Sequence, residues 1–316
     1  MVNELQISDF FIEFFVFFCY DTIIIIVGVS YMKLGFIGTG VMGAAMAGHL
    51  LGAGNEIYVY NRTKSKADSL VSKGAIWCDD VASVAKQADL IFTIIGMPSD
   101  VEQVYLSDDG IIQNAKSGSV IVDMTTSSPQ LAIKLANEAT KRDIFVLDAP
   151  VTGGDVGAKN GTLTIFVGGN EDAFNKILPY FEIMGSHITY LGEAGSGQHG
   201  KMVNQIAISG AAIGMVEALT YARAANLNLE KIQAAVSTGS AASWQMSNMA
   251  PRIMAGNFDP GFFIKHFIKD MKIAVDEGKA NGVTLPGLEL VLSQYEKLAD
   301  YGHENLGTQG LYKLYE

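Results

Sequence analysis

The sequence predicts an α/β domain built on a mostly parallel, doubly wound sheet, followed by a domain made only of helices. From residue 33 to residue 191, short apolar runs alternate with segments of helical period, which is the pattern of βαβ units. A glycine-rich turn stands at the first junction between a run and a helical segment. After residue 192 the apolar runs stop, and helical segments continue to the end of the chain.

The elements of the first half follow each other with short loops between them. Each predicted strand is a short apolar run, and each helical segment is amphipathic. We predict strands at residues 33–37, 56–60, 90–95, 120–123, 145–148, 163–167 and 187–191. We predict helices that include residues 42–51, 64–73 and 130–141.

The second half is predicted to be helical after a glycine-rich hinge, GEAGSGQHG, at residues 192–200. We therefore divide the chain into residues 32–194 and residues 195–316. The segment from residue 198 to about residue 225 has no proline, few charges and apolar residues on nearly every face. As one helix it would run ~40 Å. Because a helix that is apolar on all sides is buried on all sides, we expect a second copy of the chain to cover it, in a homodimer or homotetramer.

Residues 1–31 fit neither domain and form an extension of uncertain status. The segment is strongly apolar and long enough for a membrane-associated helix. Glu13 and Asp21 interrupt it, and no Lys or Arg precedes Lys33, whereas a membrane span tolerates few acids and has basic flanks. We favour an extension upstream of Met32 without stable membrane insertion, and keep the membrane-associated helix as the alternative.

Composition and charge limit the classes of partner. The chain has 316 residues, with 22 Lys and Arg against 33 Asp and Glu, which gives a net charge of −11. Nucleic acids bind clustered cations, so we expect no nucleic-acid partner. The two cysteines, Cys19 and Cys78, are far apart, and the five histidines lack metal-ligand spacing. We expect no disulfide, no metal site and a cytoplasmic location.

The glycine turn reads GTGVMG at residues 38–43, a GxGxxG motif. It stands between a predicted strand and a predicted helix, which is the context in which this motif binds a dinucleotide. Its glycines permit the tight turn, the approach of a pyrophosphate and close packing of the helix on the strand. The sequence thus predicts an N-terminal Rossmann dinucleotide-binding domain followed by an all-helical C-terminal domain. Cofactor contacts are expected at Gly38, Thr39, Gly40, Val41 and Met42.

The second predicted strand ends in Asn61-Arg62-Thr63, near the place where many dinucleotide folds carry an acid. That acid binds the ribose 2′-hydroxyl of NAD and would repel the 2′-phosphate of NADP. Asn, Arg and Thr would instead donate hydrogen bonds to a 2′-phosphate, so we predict that NADP is preferred over NAD. Thr63 is also expected to cap the helix that begins at residue 64, and the two roles are compatible.

Polar loops follow two later strands. Thr126 stands in VDMTTSSP within reach of a cofactor, although an ordinary loop with Ser128 capping the next helix explains the pattern equally well. Thr152, Gly153 and Gly154 stand in DAPVTGG, where adjacent glycines expose N–H groups that can bind a carboxylate. We therefore predict a small carboxylate-bearing substrate at the second loop.

Lys201 and Asn204 lie three residues apart in the first turns of the long helix and share one of its faces. The helix dipole and burial both lower the pKa of a lysine, which makes it a usable general acid near neutral pH. A lone lysine is usually solvated, but this one stands in a nearly uncharged segment. Later, Lys265, Lys269 and Lys272 recur at helical spacing, either as a solvated basic stripe or with Lys269 turned into the cleft.

Together, FIGTGVMGAAMAGHL, DAPVTGGDVGAKNGTL and GSGQHGKMVNQ resemble the motifs of the β-hydroxyacid dehydrogenase family over residues 32–316. This family includes 3-hydroxyisobutyrate dehydrogenases, tartronate semialdehyde reductases and glyoxylate/succinic semialdehyde reductases. The endings HFIKDM and GTQGLYKLYE resemble those of uncharacterised members from Gram-positive bacteria. Thr39 stands where Leu is commoner and Thr152 where Ser is usual, and the second change leaves the size of the substrate open.

The resemblance implies hydride transfer between NAD(P) and a small β-hydroxyacid, or its semialdehyde or aldehyde acid, with Lys201 as general acid/base. It also implies a helical second domain that interlocks between subunits. The remaining implied roles are orientation of the substrate by Asn204, binding of its carboxylate by Thr152, Gly153 and Gly154, and cofactor contacts by Thr126 and Lys269.

Two alternative functions stay open. Imine reductases share the fold and a similar Asn-Arg-Thr motif, but they typically carry Asp or Tyr at the position of Lys201, so the lysine favours carbonyl chemistry. A non-catalytic dinucleotide-binding protein would be expected to lose the lysine or the carboxylate loop, and both are present.

Overall fold

The computed structural model describes residues 12–19, 22–29 and 32–316, with side chains from Met32 onward. The first two ranges form an antiparallel hairpin of strands β1 (Ile12–Cys19) and β2 (Thr22–Val29). Over these residues the alternative of a membrane-associated helix is therefore wrong, because the backbone is extended. The rest of the predicted extension lies outside the described residues.

The predicted doubly wound sheet is confirmed. From β5 through β4, β3, β6 and β7 to β8 the strands are parallel, and β10 and β11 extend the sheet in the opposite direction beyond β8. The short strand β9 pairs only with β10. All the predicted strands form, and the two-residue strands β5 and β9 were not predicted. The strands are β3 (Leu34–Ile37), β4 (Ile57–Tyr60), β5 (Ile76–Trp77), β6 (Leu90–Thr93), β7 (Val120–Asp123), β8 (Phe145–Asp148), β9 (Val151–Thr152), β10 (Leu163–Gly168) and β11 (Gly185–Gly192).

Helices cover both faces of this sheet, and each face has its own hydrophobic cluster. The expected cap at Ser128 is confirmed, since its Oγ accepts the N–H of Leu131 at 3.2 Å. The predicted helix over residues 64–73 is instead a 3₁₀ turn (Lys64–Ala67) that leads into one α-turn. The helices are α1 (Val41–Gly52), α2 (Asp68–Val71), α3 (Val81–Gln87), α4 (Pro98–Leu106), α5 (Ile111–Asn114), α6 (Pro129–Thr140), α7 (Gly154–Asn160) and α8 (Glu171–Met184).

The remainder of the chain is helical, as predicted, around a separate core that includes Met215, Leu219, Phe267 and Tyr295. A π-helical turn (Gln245–Met249) and a final 3₁₀ segment (Thr308–Leu314) complete it. Its helices are α9 (Ser196–Ala224), α10 (Leu229–Val236), α11 (Ala250–Met254), α12 (Ile264–Ala280) and α13 (Pro286–Asp300).

The glycine-rich segment at residues 192–200 is not a flexible hinge, because α9 already begins at Ser196. Its glycines allow close packing instead. A Cβ on Gly197 would lie 2.4 Å from the carbonyl oxygen of Asp148, and one on Gly200 would lie 2.3 Å from Cδ1 of Leu191. The start of α9 is therefore pressed against the sheet of the first domain.

Helix α9 is not buried on all sides within the single chain, so its cover by a second copy of the chain stays a prediction. One stripe, which includes Met215 and Leu219, packs into the helical core, whereas Val203 and Tyr221 on other faces are 69% and 73% exposed. Among the described helices it is the one long and apolar enough to span a membrane by length and composition. Its buried stripe is that of a core helix.

Candidate active site

The dinucleotide motif lies at the carboxyl ends of β3 and β6, where the order of the sheet changes direction. Ligands of open α/β sheets bind in the crevice at such a switch point. Gly38 follows β3 with a φ of +99°. A Cβ there would lie 2.1 Å from the carbonyl oxygen of Ile94, in the loop after β6. Only glycine fits this contact, so the two loops close against each other.

Helix α1 presents an open amino terminus to this crevice. A Cβ on Gly43 would lie 1.9 Å from the carbonyl oxygen of Gly38, whereas one on Gly40 would meet no heavy atom within 4 Å. The cap residue Gly40 has no side chain to accept from the first N–H groups of the helix. Val41 in this turn is exposed and Met42 is half-buried. The turn thus fits a dinucleotide pyrophosphate, which binds free N–H groups at helix amino termini.

Asn61 ties this turn to the end of β4. Its Oδ1 accepts the backbone N–H of Thr39 at 2.9 Å, and its Nδ2 donates to the carbonyl of Thr63 at 2.8 Å. This bridge between the two loops that are predicted to bind the cofactor was not itself predicted. Thr63 does precede the 3₁₀ turn, but its side chain makes no capping hydrogen bond, so that part of the prediction is wrong.

Arg62 extends from the same loop across the crevice. Its side chain is 88% exposed, and its Nη1 lies 3.7 Å from Oδ1 of Asp100 in the first turn of α4. Asp100 is itself held in place, because its Oδ2 accepts the N–H of Met97 at 3.0 Å. An exposed ion pair of this length is weak, so the guanidinium is free to bind an anion.

Lys201 is buried where α9 meets the first domain. It is 6% exposed, and its Nζ donates to the carbonyl of Val151 at 2.8 Å. Burial lowers the pKa of Lys201 to about 8, against the charge of Asp270, which raises it, while Lys269 lowers it further. The structure therefore contains a buried lysine that can exchange a proton near neutral pH.

The loop after Val151 faces the same helix. Gly153 and Gly154 have φ values of +127° and +64°, a backbone conformation that residues other than glycine rarely adopt. Nδ2 of Asn204 lies 3.4 Å from Oγ1 of Thr152, a long hydrogen bond. The structure thus brings the predicted carboxylate loop together with Lys201 and Asn204.

Lys265 and Lys272 are exposed, as expected for a solvated basic stripe, but Lys269 between them is buried, so that alternative is wrong for Lys269. The Nζ of Lys269 donates to the carbonyl of Thr126 and lies 3.1 Å from Oδ1 of Asp270. This lysine joins α12 to the loop after β7, and it reaches that loop through backbone rather than through the Thr126 hydroxyl.

Several buried polar residues at the site are ones to which the sequence analysis assigns no role. Asp123 and Asp148 are the last residues of β7 and β8, and both are almost fully buried. On α9, Gln198 and Gln205 are buried as well, and Nε2 of Gln205 donates to Asp270 Oδ2 at 2.6 Å. The sequence signal for the two acids was their position at the carboxyl end of a predicted strand, where the site forms.

Comparison with known families assigns both halves of the chain. The NAD-binding domain of 6-phosphogluconate dehydrogenase matches residues 33–192, and the NAD-binding domain of NADP-dependent 3-hydroxyisobutyrate dehydrogenase matches residues 195–315. The chain belongs to the β-hydroxyacid dehydrogenase family. As a member of this family it is an oxidoreductase with a nicotinamide dinucleotide cofactor, which confirms the predicted resemblance.

Three relatives show how far the similarity extends. The chain is 54% identical to the uncharacterised oxidoreductase YkwC of Bacillus subtilis, over 89% of this chain and 98% of the relative. It is 46% identical to the probable mitochondrial 3-hydroxyisobutyrate dehydrogenase-like 1 of Arabidopsis thaliana, over 89% and 84%. It is 34% identical to the 2-hydroxy-3-oxopropionate reductase of Escherichia coli, over 90% and 97%.

Several solved structures superpose along most of the chain. The 3-hydroxyisobutyrate dehydrogenase of Salmonella typhimurium has a TM-score of 0.82 at 25% identity, over 89% of this chain and 99% of its own. Psf3 in complex with NADP⁺ and 2-OPP has a TM-score of 0.84 at 25% identity, over 90% and 100%. An imine reductase from Pseudomonas sp. has a TM-score of 0.60 at 19% identity, over 91% and 100%, a likeness of fold alone.

Proposed function

We propose that this dehydrogenase interconverts a small β-hydroxyacid and its semialdehyde or aldehyde acid, with NADP as the preferred cofactor. The substrate class comprises 3-hydroxyisobutyrate, tartronate semialdehyde, glyoxylate and succinic semialdehyde. One observation carries the proposal. The buried Lys201, with its pKa lowered to about 8, adjoins the Thr152 loop that is suited to a carboxylate. A proton donor beside a carboxylate site fits a substrate that carries both a carbonyl and an acid.

In this proposal Lys201 is the general acid of the reduction. The nicotinamide, when bound, supplies the hydride. At pH 7 Lys201 carries its proton in most molecules, because its pKa is about 8. It donates that proton to the carbonyl oxygen as charge develops there, and takes it back in the oxidation. Asn204, one helical turn along the same face of α9, orients the substrate.

The carboxylate is proposed to bind the loop of residues 152–154. Gly153 and Gly154 both have positive φ values, adjacent glycines of this kind can expose N–H groups to an anion, and the Thr152 hydroxyl adds a donor. The 3.4 Å contact between Asn204 and Thr152 supports a shared role for the two side chains. Together they place the substrate against the lysine.

The preference for NADP rests on Arg62. Its side chain is 88% exposed, its only ion partner among the described residues lies 3.7 Å away, and no acid stands at the end of β4. A guanidinium there can bind a 2′-phosphate through charge-assisted hydrogen bonds. Thr126 and Lys269 are proposed to form the opposite, nicotinamide side of the cofactor site.

We also propose a homodimer or homotetramer. Helix α10 has no buried residue in the single chain. Apolar side chains on α9 and just before the π-helical turn are also open to solvent, among them Val203, Tyr221 and Trp244, which are 69%, 73% and 55% exposed. A face of this kind is typical of an obligate subunit contact. Light scattering on the purified protein would test it, and a monomer at micromolar concentration would contradict it.

The function is tested by following NADPH and NADH oxidation at 340 nm with the carbonyl forms of the proposed substrates and one cyclic imine. We expect turnover of at least one aldehyde acid, faster with NADPH. Turnover of the imine alone would favour the imine reductase alternative. Binding of NADPH without turnover of any substrate would favour a non-catalytic dinucleotide-binding protein.

A further inference from the structure

Asp148 holds the amino terminus of α9, the helix that carries Lys201. Its Oδ1 accepts the N–H of Gly195 and its Oδ2 accepts the N–H of Gln198, both at 2.8 Å. The first N–H groups of a helix have no partner within the helix, and a carboxylate there also opposes the positive end of the helix dipole. A residue at the end of β8 therefore caps a helix that begins nearly fifty residues later.

The contact has no free space around it. A Cβ on Gly197 would lie 2.4 Å from the carbonyl oxygen of Asp148 and 2.5 Å from that of Phe166. A Cβ on Gly168 would lie 2.7 Å from Oδ1 of Asp148. Glycines on both sides thus let the carboxylate and the helix come together, and a displacement of α9 would break both hydrogen bonds.

The side chain of Gln198 gives the same turn a second attachment. Its Oε1 accepts the N–H of Ser127 at 2.9 Å, and its Nε2 donates to the carbonyl of Thr125 at 2.8 Å. Gln198 is completely buried. The start of α9 is therefore fastened to the ends of both β7 and β8.

The segment that contains Asp148 also contains the proposed substrate loop. Four residues after Asp148, Thr152 contacts Asn204, and in between the carbonyl of Val151 accepts from Lys201. One short stretch of chain thus meets α9 at three successive turns. The first meeting point involves no group that would touch the substrate, so it can act on the other two only through the position of α9.

We propose that Asp148 is a positioning residue for catalysis, which sets the place of Lys201 relative to the substrate-carboxylate loop by capping α9. This inference rests on the proposed function of Lys201. Two N–H groups need two acceptors, and a carboxylate supplies both. A displacement of ~1 Å at a reacting group can cost on the order of a hundredfold in rate, so the cap acts on the chemistry through geometry.

The ionised form of Asp148 is the one that can accept both bonds. Burial raises the pKa of Asp148 to about 6, the N–H groups of Gly195 and Gln198 oppose that rise, and the charge of Asp123 adds to it. The cap is therefore charged at pH 7 and above, the range for the test.

The test is Asp148→Asn, which keeps the shape and removes one acceptor. We expect kcat to fall at least tenfold at pH 8, while the dissociation constant for NADPH, followed by fluorescence, stays within twofold. The matched control is Asp80→Asn at α3, where Asp80 accepts the N–H of Ser83 at 2.7 Å far from α9. Its kcat should stay within twofold of wild type. A folded Asp148→Asn protein with kcat within twofold of wild type would overturn the proposal.

If Asp148→Asn does not fold, Gly197→Ala replaces it, because a Cβ there would lie 2.4 Å from the carbonyl oxygen and 2.9 Å from Oδ2 of Asp148 and would push α9 off the cap. The same fall in kcat and the same unchanged affinity for NADPH are expected of this variant. Lys201→Ala runs in parallel. Loss of turnover in Lys201→Ala with normal turnover in the cap variants overturns only the positioning role, whereas normal turnover in Lys201→Ala overturns the proposed function.

A second measurement needs no substrate. Acetylation of Lys201 by acetic anhydride at increasing pH, read by mass spectrometry, reports its pKa beside Asp270 and Lys269. If the wild-type protein turns over none of the substrates, the acetylation profile of Lys201 alone tests the positioning role of Asp148. An upward shift in the cap variant, as α9 loosens and water enters, supports the positioning role, and an unchanged profile overturns it.

Discussion

The two sides of the cleft are built in different ways. The cofactor side, at the ends of β3 and β4, relies on backbone groups and glycines, and the side chain of Arg62 there is 88% exposed. The chemical side, at the ends of β7 and β8, relies on buried polar side chains from α9 and α12, such as Lys201 and Asp270. Binding a large polyanion needs shape and free N–H groups. Moving one proton needs a charge withdrawn from water.

This difference predicts which substitutions affect binding and which affect turnover. On the chemical side, Lys201→Ala should lower kcat about a thousandfold, because a positioned general acid contributes on the order of 10²–10⁴. NADPH affinity should stay within twofold. The exposed Lys265→Ala on α12 is the matched control and should retain wild-type kcat. Steady-state kinetics gives kcat, and fluorescence titration gives the affinity for NADPH. Wild-type turnover in Lys201→Ala would contradict the assignment of proton transfer to the chemical side of the cleft.

On the cofactor side, two glycines of one turn should respond differently. Gly43→Ala has no room, since its Cβ would lie 1.9 Å from a carbonyl oxygen. It should lower the free energy of unfolding by ~1–3 kcal/mol. Gly40→Ala meets nothing within 4 Å in the protein itself. It should therefore leave the melting temperature unchanged and weaken NADPH binding roughly tenfold or more, about 1.4 kcal/mol. Equal melting temperatures for the two variants would contradict this division.

In the proposed function, Arg62 gives the cofactor side its preference for NADP over NAD. Arg62→Ala should raise the dissociation constant for NADPH roughly tenfold, which corresponds to the low end of the energy range of a charge-assisted hydrogen bond. The dissociation constant for NADH should change less than twofold. Arg142→Ala, an exposed arginine bonded to Gln113 away from the cleft, is the control. Equal losses for both cofactors in Arg62→Ala would show that the guanidinium does not distinguish them.

The same difference explains what the sequence could predict. The strands, the glycine turn and the Asn61-Arg62-Thr63 loop are local patterns, and they occur where the sequence predicts them. The roles of Asp148, Gln198 and Gln205 depend on contacts between residues 47 to 73 positions apart. No local spacing encodes such contacts. The glycines at residues 192–200 suggest a hinge in the sequence, but they make room for the predicted strands β8, β10 and β11. A single sequence does not show which strands will lie against a helix.

Lys201 itself lies between these cases. Its position was predicted from the uncharged helix around it, and the expected burial is found. Its resting partner, the carbonyl of Val151, could not be predicted, because β9 is only two residues long. The local sequence thus identified the group, whereas the fold determines its surroundings and hence its pKa.

Those surroundings lead to the smallest expected effect, a pH dependence of turnover. With the pKa of Lys201 at about 8, about half of the molecules carry the proton at pH 8, and at higher pH the protonated fraction approaches a fall of about tenfold per pH unit. For reduction at saturating substrate, kcat should therefore fall about twofold between pH 7 and pH 8 and more steeply beyond, while kcat for oxidation rises over the same range. NADPH affinity should not follow this curve, since the cofactor turn has no buried titratable group. A reduction rate that stays flat to pH 10 would mean that the proton comes from another donor, and the chemical side would then resemble the cofactor side, a binding surface without its own acid.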